Sequence, residues 1–419
     1  MYFYADAATQ RVLRASESIV LLYGGFEGFE NYGDVLQLKS TIEFHRRTTG
    51  LRPVLVVSLA CCLSRDVPEQ IRAKYNVDGV IYEDGDLLDV AALGLAPIDM
   101  VRGGALLHVY GGGYFNRFWG AHRAFVCEQL IFALHLSDYV MSGLQVDEDG
   151  AGHLARLFAL RMPLVIGGRD ARSVELLRAV APPERVRFSF DDAVEAIDAI
   201  RTALTATGAF DDALRESTGM HFNITREYMS PAQARAVESV FSTTVQRRPA
   251  ASVTLLQAYN DRRGLVEDTL ETISRANILG RLTSFGVVDL ATLSAAPAPT
   301  AGELRAVARS LAAVDVVVAC SYHVALTMNL LGRPTFLVAS NDYYADKRTA
   351  LGLPAEIGAF LDDPPSSLRD FAAERRERLE WLAMLSATVA TRSARRKKAA
   401  VTRESREVIG TVAEKYFLS

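Results

Sequence analysis

Several short stretches of this chain combine residue types that bind anions or move protons. Gly24-Gly25-Phe26-Glu27-Gly28-Phe29-Glu30-Asn31-Tyr32-Gly33-Asp34 leads into a helical pattern. Glycines let a backbone approach a ligand, and a helix N-terminus attracts anions. The loop is neither GxGxxG nor a Walker loop, and Asp34 suits either a helix cap or a site. Gly111-Gly112-Gly113-Tyr114-Phe115-Asn116 places three glycines at a strand end, for a tight turn or for the approach of a ligand or a neighbouring loop. In Gly168-Arg169-Asp170-Ala171-Arg172-Ser173, the Arg169 guanidinium either forks onto a carboxylate or phosphate or pairs with an acidic neighbour. Thr225-Arg226 follows the first strand-like run of the second half. Ser321-Tyr322-His323 opens a helix, and a histidine there is a candidate general acid or base because its pKa lies near working pH. Ser340 to Lys347 holds the one lysine of the second α/β unit, a compact ammonium in a chain with 40 Arg and 6 Lys.

The elements that would carry these residues alternate. Apolar strand-like runs at 18–23, 53–59, 79–82, 104–110, 138–142, 163–167 and 185–190 are separated by helical spacing at 35–47, 66–75, 121–135, 171–180 and 191–207. Such runs suit a parallel sheet covered on both faces. The pattern restarts with strands at 219–224, 252–258, 282–287, 314–320 and 334–339, and helices at 230–248, 265–276, 303–313 and 322–332. Ser230-Pro231 is a helix start, and 294–302 is a Pro-rich loop. Ligands of open α/β sheets bind at the carboxyl ends of strands, where each of the stretches above falls. From Ser366 onward the chain reads as helix, with 12 basic and 7 acidic residues and the dense run Arg395-Arg396-Lys397-Lys398.

With 419 residues the chain has room for two or three domains. Apolar residues at 49 % exclude a disordered chain. A net charge of −4 offers no general basic field for nucleic acid. That charge is −9 on the body and +5 on the tail, where 395–398 suits a solvated face or weak contact with an anionic membrane surface. Cys61, Cys62, Cys127 and Cys320 form no CxxC pair and read as buried thiols of a reducing compartment. The N-terminus lacks a signal-peptide pattern, and no apolar run reaches the ~20 residues of a membrane span. The expectation is a cytoplasmic protein. HExxH, zinc spacing, DxD-rich loops and GxSxG are absent, so no metal is indicated.

In order, these residues resemble the polysaccharide pyruvyl transferase family. Asn31-Tyr32-Gly33-Asp34 resembles its N-x-G-D opening, and Gly111-Gly112-Gly113 its triple-glycine strand end. Ser142-Gly143-Leu144-Gln145 echoes its Gly-Gln segment, and Arg169-Asp170-x-x-Ser173 its helix start. Ser321-Tyr322-His323 with Gly332-x-Pro334, then Lys347 with Leu351-Gly352-Leu353, complete the set over residues 18–360. Where sugar-pyruvylating members carry Arg two residues before the His, this chain has Ser321.

The resemblance implies an α/β, GT-B-like fold: two Rossmann-like domains with parallel sheets facing across a cleft, plus C-terminal helices. The divisions would be 1–215 (acceptor side), 216–365 (donor side) and a basic helical segment, 366–419. It implies phosphoenolpyruvate as co-substrate, no further cofactor, and a sugar, nucleotide-sugar or lipid-linked glycan acceptor that receives pyruvate as a ketal. His323 would protonate the donor and Asp34 assist as base. Arg169, Lys347, Arg226, Ser321 and Ser173 would hold the donor. Asn31, Gly33, Gly111, Gly112, Gly113, Asn116 and Gln145 would form the acceptor or loop side. Two rival readings stand beside it. One is a nucleotide-sugar glycosyltransferase on the same fold, for which Glu356 is the one acidic residue in a plausible place. The other is a non-catalytic binding partner, which Ser321 keeps open.

Overall fold

The apolar runs assemble into two sheets in the computed structural model. The structure describes residues 2–15, 18–25, 30–58, 68–83, 90, 93–98, 101, 104–210, 215–225, 229–249, 252–260, 266–267, 269, 282, 284–294, 298–366 and 368–417. In chain order the first unit forms β1 (Phe3–Asp6), β2 (Ile19–Tyr23), β3 (Glu30–Asn31), β4 (Arg52–Ser58), β5 (Gly79–Glu83), β6 (Leu95–Pro97), β7 (Leu106–Val109), β8 (Asp138–Leu144), β9 (Ile166–Gly168) and β10 (Val186–Phe188). All but β3 join one sheet in the order β10-β9-β8-β7-β2-β4-β5-β1-β6. From β10 to β5 the strands run parallel. Strand β2 is buried at every position, as a strand covered on both faces must be. The sequence pattern assigns nothing to the first residues. They form β1 and the helix Ala7–Ala15, and β1 runs antiparallel to β5 and β6.

The second unit forms β11 (Ser217–His221), β12 (Ile224–Thr225), β13 (Ser252–Gln257), β14 (Tyr259–Asn260), β15 (Val266–Glu267), β16 (Phe285–Asp289), β17 (Val314–Ala319) and β18 (Thr335–Leu337). Its main sheet is parallel, in the order β16-β13-β11-β17-β18. Strand β11 ends three residues earlier than the apolar pattern suggests, so Thr225 belongs to the separate pair β12–β15 rather than to the sheet's carboxyl edge. Cys61, Cys62, Arg226 and most of the helical pattern at 265–276 lie outside the described residues.

The two units share an apolar seam as well as a cleft. Strand β3 of the first pairs with β14 of the second, Asn31 opposite Tyr259, and Tyr32 N–H donates to the Ala258 carbonyl at 2.8 Å. Tyr32 and Leu36, with Ile197 and Leu204 of the helix Val194–Ala206, share one core with Leu311, Val317 and Leu326. That helix follows the first sheet in sequence but packs into the second unit.

The C-terminal region is not a separate segment. The helix Ala372–Phe417 returns to the first sheet, where Trp381, Leu385 and Val389 pack with Leu55, Val57 and Val140. Arg392 pairs with Asp138 at 2.8 Å and donates to the Gly104 and Ala105 carbonyls. Part of the basic tail is therefore consumed in docking. The whole is a GT-B-like α/β fold, with the carboxyl ends of both parallel sheets serving one region. No helix among the described residues is long and apolar enough to cross a membrane.

Candidate active site

In each sheet the order of strands reverses at the centre. Strand β2 has β4 on one side and β7 on the other, and β11 lies between β13 and β17. Crevices outside such switch points hold ligands. In the first unit the segments after β2, β7, β9 and β10 supply the walls, and in the second those after β17 and β18.

Asp191, just after β10, is the centre of the arrangement and is fully buried. Arg169 Nη1 donates to its Oδ2 at 3.1 Å, Gln37 Nε2 lies 3.3 and 3.4 Å from its two oxygens, and the Ala193 N–H donates at 2.8 Å. His323 Nε2, from the second unit, stands 3.5 Å from Oδ2. Burial opposes ionisation of Asp191, but His323, Arg169 and the Ala193 N–H outweigh it and hold the carboxyl well below the ordinary carboxylate range. Arg169 also donates to Gln145 Oε1, and its guanidinium lies 4.0 Å from the centre of the Tyr322 ring. Despite these partners, Arg169 Nε is buried without a hydrogen-bond acceptor, and His323 Nε2 has only its long approach to Asp191.

Local sequence explains the placement of His323. Ser321 caps the helix Tyr322–Leu330 by accepting from Val324 N–H, which puts His323 in the first turn, at the carboxyl end of β17. Asn31 caps the helix Tyr32–Phe44 by accepting from Gly33 N–H at 3.0 Å. Gly33 then faces the imidazole, where a Cβ would lie 1.9 Å from His323 Nδ1. The cap is therefore Asn31, and Asp34 is left in the first turn of that helix.

Lys347 comes from the helix Asp342–Ala350, capped by Asn341. Its ammonium lies 4.0 Å from the Tyr343 ring centre and 5.0 Å from that of Tyr344. Burial, and then the charge of Arg169, drive its pKa well below that of an ordinary lysine, against the pull of Asp34 and Asp191. Tyr343 Oη donates to the Gly113 carbonyl at 2.5 Å, tying this helix to the glycine loop.

Arg169, His323, Lys347 and Asp34 thus come from two segments of the first unit and two of the second to one region. Other predicted residues have supporting tasks. Ser173 Oγ accepts from Val146 N–H at 3.1 Å, securing the helix start, and the residue borders an adjoining cavity. Asn116 spends its side chain on its own turn, donating to Gly113 O at 2.6 Å and accepting from Phe118 and Trp119 N–H. Gln145 Oε1 accepts from Arg169, and the residue also borders the adjoining cavity. Gly111 has φ +63°, a conformation that favours glycine, and Gly112 and Gly113 continue the loop. Glu356 is exposed at a helix start. Sequence reasoning missed Asp191, Asp192 and Gln37. The signal was the end of the run 185–190, since β10 leads straight to the two aspartates.

Beside this centre lies a cavity of about 870 Å³, bordered by Arg169, Ser173, Tyr322, Tyr343, Arg369 and Glu377. Among the described residues no group of His, Cys, Asp and Glu is arranged to hold a metal ion.

No family model matches the chain, and no curated protein matches it. Among solved structures it is similar to UDP-GlcNAc 2-epimerase from Neisseria meningitidis bound to UDP-GlcNAc, at 8 % identity over 88 % of this chain and 93 % of that one, TM-score 0.41. UDP-N-acetylglucosamine 2-epimerase from Rickettsia bellii gives 8 % identity over 96 % and 99 %, TM-score 0.42. MurG from Acinetobacter baumannii gives 9 % over 90 % and 94 %, TM-score 0.37.

Proposed function

We propose that this protein is an enzyme acting on a sugar or sugar nucleotide, with a phosphorylated donor held where Arg169, His323 and Lys347 converge. The observation that carries this reading is the convergence of Arg169, His323 and Lys347 around the buried Asp191, with Arg169 Nε buried and lacking an acceptor. Buried polar atoms without partners cost free energy, and an anionic ligand would supply the acceptors. Asp191 acts as an internal counter-ion to Arg169 and orients the Arg169 and His323 side chains.

The finer reading is transfer of pyruvate from phosphoenolpyruvate, which the ordered pyruvyl transferase motifs support. His323 protonates the methylene carbon, giving an oxocarbenium-like centre at the carbon that bears the phosphate. A sugar hydroxyl bonds to that carbon as Asp34 takes its proton. The carbon–oxygen bond to phosphate then breaks, and a second hydroxyl closes the ketal, its proton leaving with the phosphate. Arg169 and Lys347 hold the donor's carboxylate and phosphate.

The second reading is a nucleotide-sugar enzyme, and one observation favours it. The adjoining cavity of about 870 Å³ is far larger than a three-carbon phosphate needs. Thermal-shift titrations of the purified chain with phosphoenolpyruvate and with UDP-GlcNAc separate the two. Stabilisation by the first alone supports pyruvyl transfer, and by the second alone the nucleotide-sugar reading. Stabilisation by neither, with no turnover of either, removes the proposal.

A further inference from the structure

Directly behind Asp191 runs a buried polar chain that the proposed reaction does not use. Thr49 Oγ1 lies 3.1 Å from His45 Nδ1, and His45 Nε2 lies 2.7 Å from His108 Nδ1. His108 Nε2 is 2.7 Å from Ser142 Oγ, which donates to Asp192 Oδ2 at 2.6 Å. The same carboxylate oxygen accepts the Gly111 N–H at 2.7 Å, a donor it shares with the Ser142 carbonyl at 2.9 Å. Its other oxygen accepts from Arg378 Nη1 at 2.6 Å, and Arg378 grips Glu195 with Nε and Nη2, each at 2.8 Å. Arg378 belongs to the C-terminal helix. His45, His108, Ser142, Asp192 and Arg378 are all buried.

This chain has one proton polarity. An ionised carboxylate only accepts, so Ser142 donates to Asp192. Ser142 must then accept from His108 Nε2–H, and His108 Nδ1 from His45 Nε2–H. Burial, and then the charge of Arg378, pull His108 down to about 3. Burial, and then His108, lower His45 as well, so both imidazoles are neutral. Asp192 is the junction where the chain, the glycine loop and the C-terminal helix meet. From Gly111 the loop runs to Gly113, whose carbonyl receives Tyr343, in the helix that bears Lys347.

We infer that Asp192 and Arg378 are positioning residues, through which the C-terminal helix fixes the Gly111–Gly113 loop and with it the reaction centre. This rests on the reading of Arg169, His323 and Lys347 as that centre.

The test compares the full-length chain with Asp192→Asn, Arg378→Met and Arg378→Lys. Glu195 still holds Arg378 in the first variant, which favours folding. In wild type, imidazole nitrogen NMR should show neutral Nε2–H forms for both His45 and His108. In Asp192→Asn and Arg378→Met, amide exchange at Gly111 should rise at least about tenfold while Leu107, in the adjoining strand, is unchanged. In Asp192→Asn a second tautomer should appear at His108. Turnover of whichever donor the wild type consumes should fall about 10²-fold, with partial rescue in Arg378→Lys. Exchange that rises equally across the sheet, or unchanged exchange at Gly111, overturns the inference. So does turnover within twofold of wild type when the loop has loosened. If the wild type consumes neither donor, the reading of the reaction centre fails, while the exchange and tautomer readouts still decide whether Asp192 and Arg378 hold the loop.

Discussion

Replacing Gly33 with Ala adds one methyl group against the proposed acid. The new Cβ would lie 1.9 Å from His323 Nδ1, 2.3 Å from its Cγ and 2.8 Å from its Cβ. Ordinary contact begins at 3.4 Å, so the imidazole must retreat by about 1.5 Å. Retreat disrupts the 3.5 Å approach of Nε2 to Asp191. Misplacing a reacting group by ~1 Å costs about 10²-fold in rate, so turnover should fall by at least that factor. Stability should suffer much less. Overpacking costs about 1–3 kcal/mol, and removing a glycine from a helix returns up to about 1 kcal/mol. Gly33 has no left-handed φ, so its backbone adds no further strain on substitution. The assay is donor turnover alongside urea unfolding, with His323→Ala and the double variant completing a cycle. Because both changes act through one ring, the double variant should be no worse than His323→Ala alone. A folded Gly33→Ala protein with more than half the wild-type turnover would refute the reasoning.

Three further outcomes follow from the same geometry. His108 and His221 are pulled to about 3 by burial, and His45 is lowered as well, so between about pH 3 and 6.5 the unfolded chain binds protons that the folded chain does not. Stability should therefore fall with pH from about 6.5 downward, by up to about 1.4 kcal/mol per pH unit for each histidine; a urea midpoint that stays level from pH 7 to 5 contradicts this. Asp191→Ala strands Arg169 as an uncompensated buried charge and should cost about 3–5 kcal/mol in urea unfolding, a loss under about 1 kcal/mol being inconsistent with the pairing. Lys347→Met keeps the stem over Tyr343 but removes a charge that burial already disfavours, so stability should hold within about 1 kcal/mol while turnover drops about 10²-fold; retained turnover would exclude Lys347 from the donor site.

The fold was legible where apolar runs were continuous. Strands such as Ile19–Tyr23 and Val314–Ala319 are buried along nearly their whole length, so their composition alone marks them. Phe3–Asp6 escaped because this antiparallel strand alternates buried and half-buried positions over only four residues. At the site, His323 and Arg169 stand at strand ends and could be found by position, whereas Lys347, in the helix after β18, stood out because lysine is scarce in this chain. Asp191 directly follows the strand-like run 185–190, but an Asp-Asp pair opening a helical pattern reads as a helix cap rather than a site. The docking of the tail was unreadable for a different reason. Arg378 and Arg392 look like surface charges in sequence, and only their partners Asp192, Glu195 and Asp138, remote along the chain, make them internal.

The most direct test of the central claim is phosphorus NMR of wild-type protein and His323→Ala. Each is incubated with phosphoenolpyruvate or UDP-GlcNAc and a panel of sugar and lipid-linked acceptors. The account predicts that one donor is consumed by the wild type, and that His323→Ala slows consumption by about 10²–10⁴-fold while remaining folded. Equal consumption by both proteins, or none of either donor by the wild type, would contradict it.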